Sequence, residues 1–112
     1  MAGGAQLSVT DLRRSTRHPV ELPVIGEHRM LGDIMLHVIN ISTNGFMVQN
    51  PLDLGRGERL TIRLPVVGRI EAFLVWTDGV RGGFQFERIV RQDDFMRMLR
   101  SLKPNPRLLK RG

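Results

Sequence analysis

Two stretches of this chain have residue types and spacing that could do chemistry: Arg13-Arg14-Ser15-Thr16-Arg17 and Asn40-Ile41-Ser42-Thr43-Asn44-Gly45. Arg13 and Arg17, four residues apart, carry two planar forks. Each fork can pair bidentately with phosphate oxygens or with O6 and N7 of guanine, and its flat face can stack on a base. Pro19 keeps the segment from continuing as a helix, so the arginines stand at the entrance to an extended run. Arg14 lies between them and adds charge or faces solvent. The second stretch is a polar turn. Asn40 brings a carbonyl oxygen, Ser42 a hydroxyl and Gly45 a backbone able to take positive φ. Each stretch also has a structural reading: a solvated charged segment for the first, a turn closed by its own side chains for the second.

The elements that must position these residues read as β first and helix last. Val20, Leu22 and Val24 alternate with Glu21 and Pro23, as in an edge-type strand. Ile34 to Ile41 and Phe46 to Gln49 are two more strands, joined through the polar turn. Leu54-Gly55-Arg56-Gly57 punctuates the chain before Leu60, Ile62 and Leu64, which alternate with Thr61 and Arg63. Arg69 to Thr77 is a longer strand with Ile70, Ala72, Leu74 and Trp76 on one face. Asp78-Gly79 and Gly82-Gly83 flank a hairpin into Phe84-Gln85-Phe86. The period then changes. Phe95, Met98, Leu99 and Leu102 form one apolar helical stripe, with Asp93 and Asp94 in the first turn, Arg100 and Lys103 near the end, and Pro104 as the stop. An amphipathic helix must bury its stripe, and short strands at regular spacing favour closure. The fold expected is mainly β: a six- or seven-stranded antiparallel β-barrel with a C-terminal α-helix packed on it.

At 112 residues and 41% hydrophobic content the chain has room for one core. The expected organisation is a flexible leader over 1–10, the barrel domain with its helix over 11–103, and a basic tail over 104–112. Met1 to Glu87 holds nine Lys+Arg and nine Asp+Glu, while Arg88 to Gly112 holds eight Lys+Arg against Asp93 and Asp94. The whole formal +6 therefore resides in the C-terminal helix and tail, either as a solvated end or as a contact for an anionic partner. With no cysteine there is no disulfide framework, thiolate metal site or thiol nucleophile. That composition suits the cytoplasm. The first eleven residues have no secretory signal, and the longest apolar stretch, Ala72 to Trp76, is too short to span a bilayer. His18, His28 and His37 lack metal-ligand spacing. No P-loop, nucleophile elbow or H-E-x-x-H motif is present, and the chain reads as a non-enzyme with no cofactor and no metal.

Taken together, R-x-x-x-R followed by N-x-S-x-x-G, then Val75-Trp76, Gly83-Phe84-Gln85-Phe86 and a helix, resembles the PilZ domain, the bacterial receptor module for the second messenger cyclic di-GMP. The resemblance covers roughly Asp11 to Lys103. It implies a nucleotide site with Arg13, Arg14 and Arg17 on one side, Asn40, Ser42 and Gly45 on the other, and Trp76 at the edge or in the core. Guanine presents N1–H and N2–H₂ donors, so the turn must supply acceptors. Many family members have Asp where Asn40 stands, and Asn carries an NH₂ that opposes a guanine donor. The resemblance further implies a leader that orders over the ligand and signals to a protein partner. Two other readings stay open: a PilZ-like protein-interaction module that binds no nucleotide, and a small barrel that binds single-stranded nucleic acid. The latter would stack bases on exposed aromatics, for which no Tyr, five Phe and one Trp is a poor supply.

Overall fold

Alternation of inward and outward side chains, strict in Leu60-Thr61-Ile62-Arg63-Leu64 and interrupted at a few places in the other strands, builds most of the molecule. The computed structural model describes residues 16–49 and 53–102. Arg13 and Arg14, the leader 1–10 and the tail 104–112 all lie outside the described residues. The strands are β1 (His18–His28), β2 (Gly32–Ile41), β3 (Gly45–Gln49), β4 (Arg59–Leu64), β5 (Gly68–Thr77) and β6 (Arg81–Phe86), followed by α1 (Gln92–Ser101). Every neighbouring pair is antiparallel, and the order β1-β2-β3-β6-β5-β4 closes into a barrel. Six of the six or seven expected strands are therefore present among the described residues. Closure between β1 and β4 rests on the pairs Gly26↔Ile62 and Glu27↔Thr61.

The inward residues are those the alternation picks out: Leu36 and Val38 of β2, Leu60, Ile62 and Leu64 of β4, and Ile70, Ala72 and Leu74 of β5 are all buried. Phe46 and Phe84 stack inside with centroids 5.0 Å apart and planes inclined by 7°. Each large apolar side chain removed from water stabilises the fold by roughly 1.5–3 kcal/mol, and this burial offsets the entropy of pairing distant strands. The helix follows the expected stripe. Phe95 and Met98 are buried, and Phe95 meets the His18 ring at 5.4 Å, seating α1 beside the start of β1. Asp93 and Asp94 occupy its first turn and Arg100 its last, each sign matching the macrodipole. The helix ends when Leu102 turns extended, its N–H donating to the Leu99 carbonyl.

Away from the polar turn, His28 ties the β1–β2 hairpin to the loop before β4. Its Nδ1 accepts the N–H groups of Met30 and Leu31, both at 3.0 Å, so the proton sits on Nε2 and is donated to Glu58 Oε1 at 2.7 Å. The N–H of Gly55, and next the His28 ring, hold the Glu58 carboxyl below its ordinary value of 4.5. Asp78 is likewise held low, by the N–H of Arg81 and then that of Val80 in the β5–β6 turn. A carboxylate with a lowered folded pKa adds stability above its unfolded value, and that contribution is lost as pH falls through the folded one. The urea midpoint is thus expected to decline between roughly pH 5 and pH 3, and Glu58→Gln should flatten that decline. An unchanged acid slope in Glu58→Gln would refute the assignment.

Candidate functional site

Register places Asn40, the first residue of the polar turn, within a row of residues that crosses five strands. Pro19 pairs with Asn40, Asn40 with Met47, Met47 with Gly83, and Gly83 with Trp76. On the outer surface over this row lies a shallow concavity of about 30 Å³. Five of the residues expected from sequence line it: Arg17, Asn40, Ser42, Gly45 and Trp76. Phe46, Met47, Val75, Gly83 and Phe84 complete the lining, and no carboxylate is among them. Arg17 is exposed at its rim, directly before β1. An exposed guanidinium over a wall without acidic groups suits an anionic ligand.

Two bulges aim side chains into this concavity. In an unbroken β2, Asn40 would share the inward face with Leu36 and Val38. Register instead slips between Val38 and Asn40, so Ile39 is the extra residue and the alternation inverts. Ile41 is consequently fully buried, while Asn40 is half-buried against the concavity. A second slip falls between Leu74 and Trp76 in β5. Trp76 was expected on the same face as Ile70, Ala72 and Leu74; with Val75 inserted it turns outward and is 37% exposed. A third slip, between Pro19 and Leu22, lies in β1 beside the same row. Bulges concentrate next to functional sites because they re-aim single side chains without unmaking the sheet.

The turn itself corrects two details. Ser42 was read as a ligand acceptor, but its side chain is engaged from within. Oγ accepts the N–H groups of Asn44 at 3.1 Å and Gly45 at 3.3 Å, and lies 3.5 Å from the Gly45 carbonyl as a donor. With only 2% of its surface exposed, Ser42 shapes the loop. Gly45 was expected to supply positive φ. Positive φ occurs at Gly32, Gly57, Gly68 and Gly79 among the described glycines, and not at Gly45. What Gly45 supplies is closeness: a Cβ there would run into the Phe84 carbonyl oxygen of β6. The carbonyls of Thr43 and Asn44 accept the N–H groups of Val90 and Phe86 at 2.9 and 2.8 Å, fastening the turn to the segment that leads into α1.

Gly83 has the matching role on β6. A Cβ at this position would meet Nε1, Cδ1 and Cε2 of Trp76, so the indole packs directly against the glycine. Met47, Val75 and Gly83 were not expected in the site. Gly83 carries a sequence signal, as the first residue of the G-x-x-F strand, but Met47 and Val75 enter only through the bulged register.

The family profile of the PilZ domain matches residues 11–102, well over half of the chain. The chain belongs to the PilZ domain family. PilZ domains are, in general, receptor and adaptor modules for cyclic di-GMP and not enzymes. The matched span contains both sequence motifs, Arg13 to Arg17 and Asn40 to Gly45, together with the barrel and α1. No curated protein matches the chain. Among the described residues of this PilZ domain, no helix is long and apolar enough to cross a membrane.

Proposed function

We propose that this PilZ domain is a cytoplasmic cyclic di-GMP receptor that signals to a protein partner through its N-terminal segment. The carrying observation is the convergence of Arg17, Asn40, Ser42, Gly45 and Trp76 on one concavity without carboxylates. Arg13 and Arg17 grip the phosphates or the guanine O6 and N7, and Arg14 adds positive charge. Asn40 accepts from the guanine N1–H and N2–H₂, Ser42 and Gly45 hold the turn that presents it, and Trp76 gives an aromatic edge over Gly83. A concavity of about 30 Å³ is far smaller than a cyclic dinucleotide, so the barrel supplies one wall and the arginine-bearing segment the other. Folding of that segment over the ligand changes the surface a partner meets.

Calorimetry should show cyclic di-GMP binding, with linear GMP, cyclic di-AMP and a short oligonucleotide largely ignored. A micromolar Kd would correspond to about −8 kcal/mol. Equal affinity for the adenine analogue would remove the guanine-reading role. An absence of nucleotide binding would leave the protein-interaction module.

A further inference from the structure

Asn40 faces the ligand wall with an amide that can donate from one end and accept at the other. Which end points outward decides what it recognises. In the row across the barrel its direct partner is Met47, and the Asn40 Nδ2 donates to the Met47 Sδ at 3.6 Å. A thioether sulfur accepts weakly and never donates. Of the two orientations of the amide, only this one makes a bond; the reverse sets oxygen lone pairs against those of sulfur. Both residues are half-buried and both line the concavity, so the choice is made inside the site.

We infer that Met47 is a positioning residue for ligand recognition: it takes one N–H of the Asn40 amide and so orients the Asn40 carbonyl oxygen toward the ligand. This rests on the cyclic di-GMP reading of the same site. It deepens that reading by naming how an asparagine does the work of an acceptor-only carboxylate. The NH₂ that would oppose the guanine donors is turned onto the sulfur. The oxygen then meets N1–H or N2–H₂. A locked acceptor also disfavours adenine, for which asparagine normally needs both its ends, accepting from N6–H₂ and donating to N7.

The test is a double-mutant cycle read by calorimetry with cyclic di-GMP and cyclic di-AMP. Met47→Leu removes the sulfur while nearly conserving volume, so the thermal midpoint should hold. It is expected to weaken cyclic di-GMP binding roughly three- to tenfold, the range of one neutral hydrogen bond, and to narrow the preference over cyclic di-AMP. Asn40→Asp presents two acceptors and no NH₂, so it is expected to bind somewhat more tightly. In that background Met47→Leu should change affinity by less than roughly twofold, because nothing remains to orient. In the free protein, the Asn40 side-chain NH₂ protons should show a nuclear Overhauser contact to the Met47 methyl. Equal losses from Met47→Leu in both backgrounds, or the lack of that contact, overturn the inference while the receptor reading stands. A wild-type protein that binds no cyclic di-GMP overturns both.

Discussion

Gly45→Ala is expected to lower the stability of the domain by about 3 kcal/mol, at the upper end of what one added methyl does in a packed site. The reason is the neighbour. The added Cβ would strike the Phe84 carbonyl oxygen and crowd the Gln85 Cα, which are backbone atoms of β6 and not the yielding end of a side chain. Gly45 pairs with Gln85 at the start of the β3–β6 ladder, and the Ser42 N–H donates to its carbonyl at 2.8 Å. Relief would have to part the two strands and open the turn that presents Asn40, so ligand binding should fall along with stability. For a domain of this size the melting temperature should drop by roughly 12–24 °C. The control is Gly32→Ala at the β1–β2 turn, where φ is +78° but nothing lies within 4 Å of the added carbon. That change should cost only the roughly 1–2 kcal/mol of a left-handed backbone. If Gly45→Ala melts within a few degrees of the parent, the contact with β6 is not the constraint described.

Arg17→Ala should weaken cyclic di-GMP binding by about 2 kcal/mol or more, roughly thirtyfold, with the melting temperature unchanged. Arg17 stands exposed at the rim of the concavity, so truncation empties no core. Its hydrogen bonds to a phosphate or guanine would be charge-assisted, and such bonds are about twice as strong as neutral ones. Arg13→Ala is expected to act alike, Arg14→Ala less. The loss should shrink as salt is raised, since part of the attraction is screened within roughly 10 Å at 0.1 M. Greater damage from Arg14→Ala than from the other two would move the motif by one residue. A fall in melting temperature for Arg17→Ala would instead make the arginine structural.

The features legible in the sequence are those set by local rules. Alternation in Leu60-Thr61-Ile62-Arg63-Leu64 and Ile70 to Leu74 marks strands with one buried face, because side chains on a pleated strand point to opposite sides. The spacing of Phe95, Met98 and Leu99 marks α1, since a helix returns to the same face after three or four residues. The arginine segment and the polar turn were legible by residue type. Their chemistry belongs to the side chains and survives any uncertainty about register.

The orientation of the site residues was not legible, because it depends on which residues the neighbouring strands leave unpaired. By parity Asn40 should join Leu36 and Val38 inside, and Trp76 should join Ile70, Ala72 and Leu74. Single extra residues at Ile39 and Val75 invert both assignments, a consequence of pairing with β3 and β6. The same pairing sets Met47 opposite Asn40 and Gly83 beneath Trp76, contacts between residues that local patterns treat as unrelated. It also gives Gly45 its reason, an oxygen thirty-nine positions further along the chain, on Phe84. Sequence by itself determined which residue types stand in the two polar motifs and which elements would carry them. Only the closed barrel decided which way they face, since a one-residue slip in a ladder reverses every side chain beyond it.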